Sequence, residues 1–144
     1  MRPELMNALS LAYLGDAIFE LKVREYLTIE KGIAKVNDLQ KEAVKFVSAN
    51  AQANFMNVAI ENNYLTEEEL AVYKRGRNTK GRSPKNMSVM THNQSTGFEC
   101  LIAHHYLNGN TERLEELFNI YKEVIESDKL WNNLFMEKIP SMKY

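Results

Sequence analysis

Apolar residues recur at helical spacing along almost the whole chain. Residues 4–27 are dense in Leu, Ala, Met and aromatics and contain no Pro, which predicts a first helix. Asn37 is a plausible N-cap for a second helix over residues 38–48. Ser48 either caps a third helix running to Asn62 or lies within one continuous helix. Thr66-Glu67-Glu68-Glu69 reads as a capping box whose acidic first turn suits the helix dipole, opening a helix to about Lys74. Two Gly, one Pro and many polar residues predict a loop over residues 75–86. Helix resumes near Ser95 and stops at Asn108-Gly109, and another spans residues 111–126. Leu130, Trp131, Leu134 and Phe135 then suggest a short amphipathic helix before Pro140, in a C-terminal extension over residues 127–144. No strand alternation of useful length and no internal repeat is present, so the chain reads as all-α, with residues 1–126 as one domain.

Hydrophobic residues at 44% and charged residues at 26% are an ordinary globular mixture. The one cysteine, Cys100, excludes an internal disulfide and reads as a small buried hydrophobe. No Cys/His cluster has zinc-site spacing. The apolar run over residues 5–15 is too short for a bilayer span, has no convincing signal-peptide flanks, and meets Asp16 at once. The expectation is a soluble, cytoplasmic protein with no membrane role.

Net charge is −1, but its distribution is uneven. Residues 74–98 hold six Lys/Arg and no acid, leaving −7 for the rest. Lys74, Arg75, Arg77, Lys80, Arg82 and Lys85 form a basic segment suited to phosphates, and Asn78 and Asn86 suit phosphate or ribose oxygens. Little aromatic interleaving favours a duplex read by shape over stacked single strands. His92 and Ser95 lie in the stretch leading into the next helix, where free amides at a helix N-terminus suit phosphate. The plain alternative is a solvated loop. His104 and His105 are adjacent, so they point about 100° apart on a helix and share no metal face; they read as core-edge or dimer-contact residues.

Two carboxylates lie in apolar helical surroundings. Apolar side chains surround the whole circumference of the helix through Leu11-Ala12-Tyr13-Leu14-Gly15-Asp16-Ala17-Ile18-Phe19-Glu20, which predicts a buried helix. Asp16 shares a stripe with Leu5, Leu9, Ala12 and Tyr13, and Glu20 lies one turn on. Gly15 is a weak helix residue, so a small side chain there points to close packing or close approach of a ligand. Glu99 sits in Gly97-Phe98-Glu99-Cys100-Leu101-Ile102-Ala103 with no base at i±3 or i±4. If the two helices pack, two acids converge and need a cation; hard oxygen donors favour Mg²⁺ or Mn²⁺. The alternatives are that Asp16 bonds to amides or a distant Lys, and that Glu99 is partly exposed or paired. For Glu20 an ion pair with Arg24 at i+4 competes with a place in the metal site.

The helical segment around Asp16, together with Lys74-Arg75-Gly76-Arg77-Asn78, Ser83-Pro84-Lys85-Asn86 and Ser95-Thr96-Gly97-Phe98-Glu99, closely resembles Mini-ribonuclease III. This is the bacterial ribonuclease III-like family without a separate double-stranded-RNA-binding domain. The resemblance covers roughly residues 7–126. It implies a ribonuclease III-like helical endonuclease domain, a homodimer with one active site per subunit, and Mg²⁺-dependent hydrolysis leaving 5′-phosphate and 3′-hydroxyl ends. It also implies maturation of the large-subunit (23S) ribosomal RNA precursor. The family's catalytic Asp and Glu fall on Asp16 and Glu99. Further acids of larger ribonuclease III enzymes are replaced here by Leu9, Ala12 and Thr96, leaving two clear carboxylates per site. A non-catalytic RNA-binding scaffold in ribosome assembly, and a helical protein-interaction module with an incidental loop, are the competing readings.

Overall fold

The computed structural model describes residues 2–79 and 85–131, with side chains to residue 127. All regular elements among the described residues are helical. Six helices follow in order: α1 (Ala8–Glu25), α2 (Val36–Val47), α3 (Ala49–Glu61), α4 (Glu67–Arg77), α5 (Val89–Leu107) and α6 (Thr111–Trp131). A 3-10 turn, Pro3–Leu5, precedes α1, and a π-turn, Tyr26–Glu30, follows it.

Local chemistry sets most boundaries. Asn7 stops the first helix from reaching back to Glu4, because its side chain accepts from the Leu9 and Ser10 amides at 2.9 and 3.2 Å. Ser48 caps α3 through the Ala51 amide, so α2 and α3 are separate helices. The Thr66–Glu69 capping box is present in both directions. Asn37 is not a cap: α2 begins at Val36, and Lys35 in the cap position makes no side-chain bond. α6 runs past the expected end at residue 126 to Trp131, so Leu130 and Trp131 continue α6 rather than open a separate helix, and the rest of the expected amphipathic helix, with Leu134 and Phe135, lies outside the described residues.

Two boundaries differ more consequentially. α4 continues through Arg75, Gly76 and Arg77, which the sequence suggested were loop. Gly76 is there for packing. A Cβ on it would sit 2.8 Å from Cys100 Sγ and 2.9 Å from Gly97 Cα, and one on Gly97 would meet the Tyr73 carbonyl oxygen at 2.6 Å. The glycines let α4 and α5 touch backbone to backbone. α5 begins at Val89 rather than near Ser95, capped by Ser88 through the Thr91 amide. His92 and Ser95 therefore lie within the helix, and the expected free amides ahead of Glu99 are not there.

α5 is the central helix. Its second half buries Phe98, Cys100, Leu101, Ile102 and Ala103 against α1, α3 and α4. Phe19 of α1 stands edge-on to Phe98, with ring centroids 4.9 Å apart, and to Tyr121 of α6 at 4.7 Å. The Tyr121 hydroxyl donates to the Phe46 carbonyl, tying α6 to α2.

A buried ionic cluster pins α4 to α5 and α6. Glu69, 2% exposed, accepts from Arg113 Nε and Nη2 at 2.8 Å each and lies 2.7 Å from His105 Nε2. Burial alone would raise its carboxyl. The bonds from Arg113, His105 and the Thr66 amide outweigh burial and hold it well below the usual carboxylate range. His104 and His105 are both buried; His104 lies 3.3 Å from Glu68. Glu69→Ala strands a guanidinium and should cost about 3–5 kcal/mol. The urea midpoint measures this, and a loss below about 1 kcal/mol would contradict a structural role.

Candidate active site

α1 and α5 are in closest contact at Gly15. A Cβ there would lie 1.8 Å from the Glu99 carbonyl oxygen and 2.6 Å from its carbonyl carbon, so only glycine permits this approach. The contact sets the next α1 residue, Asp16, beside the Glu99 side chain. Asp16 and Glu20 are both near enough to raise the Glu99 carboxyl.

Glu99 is half-buried, and its pKa is pushed up to about 9. Burial is the largest cause, followed by the hydrogen bond with Asp16, the charge of Asp16 and the charge of Glu20. Among the described residues neither Asp16 nor Glu99 has a Lys, Arg or His ion-pair partner. Glu20 is 3.6 Å from Arg24, the ion pair that sequence spacing allowed. Two convergent carboxylates offering only oxygen suit a hard divalent cation. No group of three His, Cys, Asp or Glu suited to a metal occurs among the described residues. Cys100 donates to the Ala8 carbonyl at 3.2 Å, and its thiol is pushed up to about 11, first by burial and then by Glu99.

Asp16 does not occupy the core, as an all-round apolar helix implied. It is exposed, on the stripe with Leu9 and Tyr13, which are 41% and 84% exposed, while Leu5, 72% exposed, lies in the turn before α1. α1 is thus buried on one side only, where Leu11, Ile18, Phe19 and Val23 pack.

The raised Glu99 carboxyl makes metal-free stability depend on pH. The unfolded chain releases this proton near 4.5 and the folded chain near 9, so between these values the folded state binds more protons. The contribution is full below 4.5 and is lost as pH rises through about 9. Wild-type Tm in EDTA should therefore fall over this window relative to Glu99→Gln. A gap of several degrees is expected at about pH 8, at about 2–4 °C per kcal/mol. Parallel curves would mean that the carboxyl titrates normally.

The basic residues divide by position. Lys74, Arg75 and Asn78 are exposed at the end of α4, and Lys85 and Asn86 are exposed before α5. Arg75 donates to the Met6 carbonyl, holding the N-terminal turn, and its charge reaches Cys100 beside Glu99. Arg77 lies 5.6 Å from the Tyr73 ring centroid and bonds Asn78 at 3.2 Å. Ser95 turns inward, donating to buried Gln52 at 2.6 Å. His92 is half-buried on α5, and Lys80 and Arg82 lie outside the described residues. The anchoring roles of Arg75 and Ser95 had no signal in sequence, since both depend on partners more than forty residues away.

Residues 9–110 match the Ribonuclease III domain family, a span that contains both acids and the whole basic segment. Relatives named Mini-ribonuclease 3 are 47% identical in Enterococcus faecalis, over 79% of this chain and 86% of theirs, and 44% identical in Streptococcus pneumoniae, over 78% and 88%. The chain belongs to the Mini-ribonuclease III family. It is accordingly an endoribonuclease. The crystal structure of a Fusobacterium nucleatum protein superposes with a TM-score of 0.72 at 32% identity, covering 79% of this chain and 91% of that one. At the three positions where larger ribonuclease III enzymes were expected to carry acids, this chain has exposed Leu9, buried Ala12 and buried Thr96, whose hydroxyl donates to the His92 carbonyl at 3.0 Å. No described helix is long and apolar enough to cross a membrane.

Proposed function

We propose that this chain is a divalent-metal-dependent endoribonuclease that cuts double-stranded RNA, with Asp16 and Glu99 as its catalytic carboxylates. The observation that carries the reading is the half-buried Glu99 carboxyl, raised to about 9 beside Asp16 with no basic partner among the described residues. Such a pair is stable when protonated or when it holds a cation, and Mg²⁺, with Mn²⁺ as a substitute, fits its oxygen donors. When bound, the ion supplies activation of water and neutralises charge developing on the scissile phosphate. Asp16 and Glu99 would hold it, with Glu20, restrained by Arg24, at the edge of their field. Hydrolysis would leave 5′-phosphate and 3′-hydroxyl ends.

Lys74, Arg77, Asn78, Lys85 and Asn86 would bear on the duplex backbone outside the reacting centre, together with Lys80, Arg82 and His92. Arg75 and Ser95 have internal partners and would act chiefly by holding the site's walls. The substrate would be the large-subunit (23S) ribosomal RNA precursor, in the cytoplasm. The exposed Leu9 and Tyr13, on one face of α1, with exposed Leu5 in the turn before it, support a homodimer, since exposed large apolar side chains mark a covered surface. A duplex-RNA incubation with Mg²⁺ and then EDTA separates this reading from a binding scaffold. Cleavage that stops in EDTA supports the nuclease, and salt-sensitive binding without cleavage would sink it.

A further inference from the structure

Among the described residues the acid pair has no basic ion-pair partner, yet a duplex reaching it brings phosphates on both sides of the bond to be cut. α1 itself carries a cation placed to meet them. Arg24 lies eight residues past Asp16 and four past Glu20, and it is exposed. At 1.5 Å per residue its backbone stands about 12 Å beyond Asp16 along the helix axis. Side chains on a helix lean toward its N-terminus, so the guanidinium reaches back toward the acids. The ion pair with Glu20 records this lean, with Arg24 Nη2 3.6 Å from Glu20 Oε2. The positive charge is therefore level with Glu20, about 6 Å along the axis from Asp16. Successive phosphates of one strand are about 3 Å apart along a duplex axis, so this is one or two nucleotides from the scissile phosphate.

The pair with Glu20 does not use the residue up. At 3.6 Å it is longer than a hydrogen bond, and the two side chains are 73% and 41% exposed, so it contributes little to stability. Only Nη2 faces the carboxylate. The donors on Nη1 and Nε have no partner among the described residues. A planar guanidinium with one edge on a carboxylate and the other open suits a phosphate oxygen. Lys22, two residues earlier, differs: its side chain is 17% exposed and is paired with Glu115 of α6. The basic segment begins at the other end of α1, where Arg75 is tied to the Met6 carbonyl.

We infer that Arg24 is a phosphate-binding residue for the duplex, gripping its backbone beyond the acids from the end of α1 remote from Arg75. The inference rests on the nuclease reading above.

Duplex-RNA binding in EDTA across a salt series tests it, with single-turnover cleavage in Mg²⁺ alongside. Arg24→Gln should weaken binding about tenfold at low salt and flatten the log–log salt dependence by about one charge. Arg24→Lys should restore the slope and part of the affinity. In cleavage, the RNA concentration giving half the maximal rate should rise, while the rate at saturation stays within a few-fold of wild type. Lys41→Gln, the same charge change on an exposed residue of α2, should match wild type. Glu20→Gln/Arg24→Gln should bind more weakly than Glu20→Gln by the same factor that separates Arg24→Gln from wild type. An Arg24 effect that vanishes in the Glu20→Gln background would mean that Arg24 only screens Glu20, and would overturn the inference. So would Arg24→Gln matching Lys41→Gln in affinity and slope while wild type binds and cuts, or a loss of rate at saturation with unchanged half-saturation. Wild type that neither binds nor cuts duplex RNA would instead sink the nuclease reading and this inference with it.

Discussion

Glu99→Gln and Asp16→Asn are each expected to lower single-turnover cleavage of duplex RNA at saturating Mg²⁺ by about 10³-fold or more, in line with the loss of a charge-stabilising group at a phosphoryl centre. Both substitutions preserve shape and remove one charge from a pair that faces no basic side chain among the described residues. The folded state should survive both. Glu99→Gln removes a carboxyl that burial and Asp16 already hold protonated in the metal-free protein, so it should unfold no more easily in EDTA than wild type. RNA binding measured in EDTA should stay within a few-fold of wild type, since the exposed cations Lys74 and Lys85 proposed to meet RNA are not part of the acid pair. Full cleavage by either variant with Mg²⁺ present would remove that residue from the mechanism.

Gly15→Ala should produce the second large effect, and for a different reason. The added Cβ would overlap the Glu99 carbonyl oxygen, at 1.8 Å, and main chain cannot rotate aside as a side chain can. α1 and α5 must separate locally. Overpacking of this kind costs about 1–3 kcal/mol, and displacing one acid from the other by about 1 Å costs about 10²-fold in rate. The separation also relieves the repulsion at Glu99. In a variant that remains folded, the Glu99 carboxyl should titrate below its wild-type position of about 9, followed by carboxyl NMR. A simple loss of packing elsewhere in the core would not move that titration. Cleavage and titration both unchanged in Gly15→Ala would show that the close approach is not what pairs the acids.

Much of this was legible in the sequence. The Thr66–Glu69 box, the Ser48 cap and the all-α character follow from local chemistry, and the two acids stood out as charges in apolar helices. Local signals failed where tertiary contact overrides them. Gly76 looks like loop punctuation beside Arg75 and Arg77, yet it is the point where α4 meets α5. Thr91, Asn93 and Ser95 look like a polar lead-in, yet Ser88 caps the helix before them and Ser95 reaches Gln52. The circumference of α1 reads as wholly buried because apolar residues left exposed and those packed in the core are alike in composition. Only Tyr13, at 84% exposure, and its neighbours reveal which side is left open, and Asp16 lies on that side. Glu69 was visible as a cap, but its pairing with Arg113 and His105 spans three helices and had no local trace.

The account rests on Asp16 and Glu99 jointly holding a hard divalent cation. Mn²⁺ titration followed by the loss of its free-ion EPR signal tests this most directly, with wild type, Asp16→Asn and Glu99→Gln compared at about pH 8. The account predicts saturable binding by wild type and at least a tenfold weaker association for each variant. Equal affinity across all three proteins would contradict it.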